Sequence, residues 1–178
     1  MKRTGLVCRW KPVHLGHEAL LVTLCERSSH VLIGLGSSNR RNARNPFSAA
    51  ESARMIELVL APRFRNFELV LVPDLDDGPR WSALVHGLLR ELDLFVTENA
   101  WVRELMTPLY TVRHPGTIVP PERHVPIDGT LVRRRMARGE DWRSLVPRAV
   151  AAYLEDAGLV ERFQKEFGLE TLARELVP

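Results

Sequence analysis

Near the start of the chain, Arg9-Trp10-Lys11-Pro12-Val13-His14-Leu15-Gly16-His17 gathers two imidazoles, two cations and a glycine. Two histidines three apart can donate hydrogen bonds to a phosphoryl group as its charge shifts in a transition state. Pro12 stops an extended run, Gly16 permits a tight approach, and His17 falls in the first turn of a following helix. Helix N-termini offer free N–H groups and a positive dipole end, which favour a bound phosphate. An arbitrary H-x-x-H is more often two unrelated histidines. Its place at a strand-to-helix turn favours phosphate chemistry here. No further ligands accompany the pair, so no protein-held metal is expected.

A second constellation is Ile127-Asp128-Gly129-Thr130-Leu131-Val132-Arg133. Asp128 suits an N-cap. Thr130, Arg133 and Arg134 then stand at i, i+3 and i+4, on one helix face at its positive end. A hydroxyl and one or two guanidiniums there suit the terminal phosphates of a nucleotide. Arg135 and Arg138 are read as a solvated basic face.

These groups need elements to hold them. Thr4 to Arg9 reads as a buried strand, and Leu15 to Ser28 as a helix with Leu21, Leu24, Cys25 and Ser28 at helical spacing. His30 to Gly36 is a continuous apolar run, as in a sheet covered on both faces. A polar loop from Ser37 to Phe47 leads to a helix opened by Ser48, with Glu51 completing a capping box. Ala49, Ala53, Ile56 and Leu60 give that helix its apolar stripe. Phe67 to Pro73 and Leu92 to Thr97 are further strands, with a helix from about Arg80 to Glu91 between them. A fifth strand is expected around Thr117 to Val119. From Asp128 the chain reads as helical to its end, broken at Gly139, Pro147 and Gly158.

Strands alternating with helices predict right-handed β-α-β units and a parallel sheet. The expected fold is α/β, a doubly wound parallel sheet with a helical C-terminal segment. One domain is expected over 1–178, with an α/β core over 1–127 and the helical segment over 128–178. Ligands in such sheets bind beyond the carboxyl ends of the strands. That places the site at Arg9 to His17, Ser37 to Phe47, Asp74 to Trp81 and Thr97 to Trp101.

At 178 residues, 45% hydrophobic and 26% charged, the composition is that of a globular domain. Lys and Arg exceed Asp and Glu by 25 to 22, giving +3, and the pI is about 9.2. That excess falls short of the basic stripe of a nucleic-acid binder and points to phosphate-bearing small molecules. Cys8 and Cys25 form no disulfide framework or zinc pattern, and read as small apolar residues of a reducing compartment. No stretch approaches the ~18 apolar residues of a membrane span. A soluble, cytoplasmic protein is expected.

With both constellations in view, the sequence resembles the HxGH nucleotidyltransferases, here His14-Leu15-Gly16-His17, and among them archaeal-type nicotinamide-nucleotide adenylyltransferases. That family's G-R-F-Q-P-x-H-x-G-H is similar to Cys8 through His17, and its E-N-P-F-T-A-G-E-R to Arg44 through Ser52. Its S-G-T-x-[IV]-R-R-R-M resembles Asp128 to Met136, and its D-W-x-x-L-V-P matches Asp141 to Pro147. The likeness covers nearly the whole chain.

The resemblance implies a Rossmann-like nucleotidyltransferase fold. It implies transfer of AMP from ATP to nicotinamide mononucleotide, giving NAD and pyrophosphate, with Mg²⁺ carried by ATP. By this analogy His14, His17 and Arg133 are catalytic. Arg9, His14, His17, Thr130, Arg133 and Arg134 hold ATP, while Phe47, Trp81, Asn99 and Arg44 serve the acceptor. A homo-oligomer, such as a hexamer, is also implied. Trp142 is left to the core.

The departures cluster on the acceptor side. Glu98 replaces a glycine, and Gly78 stands where the family often has asparagine. Lys11 replaces Gln, Asp128 replaces Ser, and Ser52 replaces the arginine of the E-R pair. Arg54 lies on a different helix face and cannot substitute. Two alternatives follow: an adenylyl- or cytidylyltransferase for another small phosphate, such as nicotinate mononucleotide or phosphopantetheine, or a nucleotide-sensing or RNA-binding module without turnover.

Overall fold

The structure, a computed structural model, describes residues 1–174. Five parallel strands, β1 (Arg3–Cys8), β2 (His30–Gly36), β3 (Phe67–Val72), β4 (Leu94–Val96) and β5 (Val112–Arg113), lie in the order β3-β2-β1-β4-β5. The chain winds outward from β1 through β2 to β3, then crosses to the far side of β1 to add β4 and β5. The order therefore reverses between β1 and β4, where a crevice opens beyond their carboxyl ends.

Helices α1 (Leu15–Arg27), α2 (Ala49–Leu60), α3 (Gly78–Leu89) and α4 (Ala100–Met106) connect the strands. α5 (Gly129–Arg138), α6 (Arg148–Asp156), α7 (Leu159–Phe163) and α8 (Leu169–Ala173) follow, with one π-helical turn over Gln164–Gly168. Leu6, Ile33 and Leu35 of the sheet share one core with Leu21 and Leu24 of α1, Ile56 and Leu60 of α2, and Val150 and Phe163. Leu32, Val72 and Phe95 form a second core with Trp81, Val85 and Met106 of α3 and α4. β2 beyond His30 and β4 are apolar and buried on both faces, while edge strand β3 leaves Glu68 and Leu71 exposed. Trp142 is buried in the first core, as expected.

The helix signals act as their chemistry requires. Ser48 accepts from the Glu51 N–H at 3.1 Å, and the Glu51 carboxylate accepts from the Ser48 N–H at 2.8 Å. α5 ends at Gly139, whose φ of +68° is a left-handed cap that a side chain would strain. Pro147 caps α6, and Gly158, at φ +61°, precedes α7. The expected helical end of the chain beyond Arg174 lies outside the described residues.

Two expectations need correction, and one helix was not foreseen. The fifth strand is Val112–Arg113, paired with Phe95 and Val96, and not Thr117 to Val119. Prolines explain the shift: Pro115 opens a 3₁₀ turn over Pro115–Thr117, and Pro120 and Pro121 follow at once. Ile118 and Val119 are buried, but outside the sheet. Helix α3 begins at Gly78 and not near Arg80, because Asp77 caps it and Pro79 suits its first turn. Helix α4 has no counterpart in the sequence reading; Asn99 starts it by accepting from the Val102 N–H at 3.1 Å.

Glu51 also has a partner that local spacing could not reveal. Arg162 of α7 grips its carboxylate through two nitrogens, at 2.6 and 2.8 Å. A guanidinium 111 residues away thus serves where Ser52 provides none. Burial opposes the Glu51 charge, yet Arg162 and the Ser48 amide outweigh it and hold the carboxyl below its ordinary range.

Candidate active site

A cleft of about 1020 Å³ lies at the reversal of strand order. It is bounded by the end of β1, the starts of α1, α3 and α5, and the segments after β3 and β4. The two histidines form its floor. His14 is the N-cap of α1, its Nδ1 accepting from the His17 N–H at 3.4 Å. An accepting Nδ1 leaves the imidazole proton on Nε2, which is then free to donate to a ligand.

The His17 ring is fixed between two others. Its centroid lies 3.6 Å from His14, nearly parallel, and 4.7 Å from Trp10. Trp10 is anchored by donation from Nε1 to the Gly34 carbonyl at 2.8 Å. His17 Nε2 stands 3.4 Å from Cys8 Sγ, while its Nδ1 is buried without a hydrogen-bond partner. Gly16 is required by close approach: a Cβ there would lie 3.1 Å from the Val125 carbonyl and 3.2 Å from His14 Nδ1.

Burial, only partly offset by Asp128, pushes His14 down to about 4. Burial, then the neighbouring His14, also holds His17 well below its ordinary value. Both are neutral at pH 7. The sign of the stability effect follows: between about 6.5 and 4 the unfolded chain takes up a proton that folded His14 refuses. Folding free energy from this group is therefore intact above about pH 6.5 and falls by about 3 kcal/mol as pH drops through 4. Urea unfolding midpoints should decline over that window, and His14→Gln should flatten the decline.

Arg133 joins the second constellation to the first. Its Nη1 donates to the Lys11 carbonyl at 2.9 Å, and its Nη2 to Thr130 Oγ1 at 3.3 Å. Asp128 caps α5 by accepting from the Leu131 N–H at 2.8 Å. Burial, then Arg9, Arg44 and Arg174 nearby, pull Arg133 down to about 10, with Asp128 opposing them. The guanidinium stays charged at neutral pH. Several mutually repelling cations around one hollow suit a polyanion.

Arg9, His14, His17, Thr130 and Arg133 line the cleft together, and Arg44 borders it beside them. Arg134 does not border the cleft; it lines a smaller adjoining pocket. The helix turns about 100° per residue, so positions i+3 and i+4 fall on opposite sides of Thr130. Arg44, expected beside the acceptor, sits among the cleft's other cations, its pKa lowered by Arg9 and then by burial.

The other end of the cleft carries Trp81 and Asn99. Trp81 is buried, and its ring lies 5.7 Å from that of the exposed Trp101. Phe47 is not part of this wall. It is fully buried and packs 6.3 Å from the Phe163 ring. Asp77 and Glu98 give this half an acidic lip, while Asp74 lies close enough to Lys11 to raise its pKa and, with Asp76, pairs with Arg40.

Sequence reasoning named Trp101 only as the end of a site segment, and missed the contact of Cys8 with His17 and the role of Lys11. Lys11 is buried and donates from Nζ to the Ser37 carbonyl at 2.8 Å; burial lowers it to about 8. Cys8 stands where the resembling motif has glycine, which was the available signal.

No protein-family model matches the chain. The chain is similar to curated relatives called nicotinamide-nucleotide adenylyltransferase. That of Thermococcus onnurineus is 32% identical over 92% of this chain and 87% of its own length. Those of Halobacterium salinarum and Pyrococcus furiosus are 32% and 31% identical, over 92% and 99% of this chain and 92% and 95% of theirs. Among solved structures, the fold matches a bifunctional NMN adenylyltransferase/ADP ribose pyrophosphatase of Francisella tularensis, complexed with AMP and Mn ion. The TM-score is 0.69 at 16% identity, over 93% of this chain but only 52% of that protein, about half its length. A putative nicotinate-nucleotide adenylyltransferase of Vibrio parahaemolyticus matches at TM-score 0.62 and 18% identity, over 94% and 98%. Identity at this level across almost the full length of the archaeal relatives shows that the chain belongs to the nicotinamide-nucleotide adenylyltransferase family.

Proposed function

We propose that the chain, as a single nucleotidyltransferase domain, transfers the adenylyl group of ATP to the phosphate of nicotinamide mononucleotide, yielding NAD and pyrophosphate. The observation that carries the reading is the convergence of His14, His17, Arg9, Thr130 and Arg133 on one cleft at the strand-order reversal. An oxygen of the acceptor phosphate attacks the α-phosphorus. As that bond forms, the bond to the bridging oxygen breaks, and its electron pair leaves with pyrophosphate. The attacking phosphate is already ionised, its second pKa being about 6, so no general base is needed. Catalysis then rests on in-line positioning and on charge stabilisation.

In this reading His14 Nε2 and the His17 imidazole donate to phosphate oxygens, and the arginines hold the triphosphate. Mg²⁺ arrives with ATP as part of the substrate. Trp81 and Trp101 flank the nicotinamide ring, and Asn99 offers its amide N–H. The acidic lip favours the nicotinamide acceptor over nicotinate. The pyridinium ring is cationic in both, but nicotinate adds a carboxylate that Glu98 and Asp77 would repel. A homo-oligomer in the cytoplasm goes with this reading, and light scattering would give its mass.

The test is a panel of acceptors supplied with ATP and Mg²⁺. Nicotinamide mononucleotide should give a higher kcat/KM than nicotinate mononucleotide, with NAD identified by mass. Turnover of phosphopantetheine, or of nicotinate mononucleotide alone, would replace the acceptor and keep the adenylyl donor.

A further inference from the structure

Lys11 is a buried cation at the floor of the cleft. It is only 3% exposed, and its ammonium spends one of three hydrogens on the Ser37 carbonyl, at 2.8 Å. Its own carbonyl accepts from Arg133 of α5. The residue thus ties the segments after β1 and β2 to each other and to α5, and Lys11, Ser37 and Asp74 all border the cleft. Burial lowers Lys11 to about 8; Asp74, beyond β3 with Arg40 behind it, opposes the fall, and Arg9 adds to it. The ammonium therefore lies within reach of charges of both signs and stays mostly protonated at pH 7.

Among the described residues bordering the cleft, the lysines and arginines are Arg9, Lys11, Arg44 and Arg133. The three arginines crowd one another at one end. His14 and His17 are neutral, and Asp77 and Glu98 border the other end. Burial chiefly raises the Cys8 thiol and Glu98 adds to the rise, so that carboxylate lies near the end of β1. A phosphate dianion brought from the acceptor end meets this carboxylate first and the negative α-phosphate of ATP next. Lys11, three residues beyond Cys8, is the cation placed to offset both repulsions. The motif that Cys8 through His17 resembles has glutamine at this position, and glycine stands in the place of Glu98. This chain has therefore gained one charge of each sign.

We infer that the Lys11 ammonium receives the phosphate of the acceptor, holds it against the α-phosphorus, and compensates the carboxylate of Glu98. The naming of the acceptor rests on the adenylyl-transfer reading. The lysine exchanges no proton: a free ammonium hydrogen is donated to an acceptor phosphate oxygen while another of its oxygens attacks. The Ser37 carbonyl keeps the ammonium in place, so its charge is fixed before the acceptor arrives.

Calorimetric titration of the full chain with nicotinamide mononucleotide, and separately with nicotinamide riboside, which lacks the phosphate, tests it. Lys11→Gln keeps a donor for the Ser37 carbonyl and removes the charge. It should weaken the mononucleotide about 10- to 100-fold, the loss expected for a charge-assisted hydrogen bond, and leave the riboside within about twofold. Adding Glu98→Gly to Lys11→Gln should recover most of that loss, and the recovery also reports that the variant folds. In the parent, kcat/KM for the mononucleotide should fall as pH rises above about 8, where the ammonium loses its proton, and Lys11→Gln should abolish that limb. A lysine that only ties the segments after β1 and β2 would give a Gln variant that binds and titrates like the parent, and that result overturns the proposal. Equal weakening of mononucleotide and riboside, or a parent that binds neither, overturns it too. Lys11-dependent binding of the mononucleotide in a protein that forms no NAD leaves the lysine's role standing and removes the reaction.

Discussion

His17→Ala should lower kcat about 10²- to 10³-fold, the range for removing one donor aimed at transition-state charge. The ring is held between Trp10 and His14, with Cys8 against Nε2, so little freedom is left for it to lose on binding. Its Nδ1 is buried without a partner in the free protein. Removing such a group relieves an unsatisfied atom while opening a small cavity, and the two effects offset. Folding stability should therefore change far less than activity. The KM for ATP should move less than kcat, because the contact strengthens as charge develops. Steady-state kinetics beside urea unfolding check both halves. Full retention of kcat would reassign His17 to structure.

Arg133→Lys should reduce kcat/KM for ATP by about 10²- to 10³-fold although the charge is kept. The guanidinium spans two fixed points, the Lys11 carbonyl and the Thr130 hydroxyl, and still faces the cleft with Arg9. An ammonium is a point charge on a flexible stem and cannot hold that geometry. The backbone after β1 and the first turn of α5 would lose their tie, so both KM and kcat should suffer. Arg135, which donates to the Asp141 carbonyl at 3.0 Å and borders neither hollow, supplies the comparison. Arg135→Gln should leave kinetics within about twofold, since substitutions away from a site act weakly.

The parts of this site legible in the sequence are those whose residues are close together along the chain. His14, Gly16 and His17 could be read because a strand end, a turn and a helix start fall within ten residues. Asp128, Thr130 and Arg133 could be read because helical spacing fixes their relation. What escaped depends on where distant segments meet. Arg162 reaches Glu51 only because α7 packs near the start of α2. Arg134 turns to the second pocket because α8 lies beside α5. Phe47 faces the core because Phe163 comes there to meet it. The fold behaves similarly: long apolar strands announced themselves, while β5, at two residues, carries no periodicity to detect.

The opposed charges at the two ends of the cleft give the account its physical content. One end gathers cations against their own repulsion, and the other bears carboxylates beside two tryptophans. A ligand with a polyanionic end and a flat cationic ring meets both, and ATP and nicotinamide mononucleotide supply them across one transferred phosphorus.

The fate of labelled phosphorus tests that claim most directly. With [α-³²P]ATP, Mg²⁺ and nicotinamide mononucleotide, the label should appear in NAD; with [γ-³²P]ATP it should appear only in pyrophosphate. Label from the γ-position in the acceptor product, or no label in NAD from either donor, would contradict it.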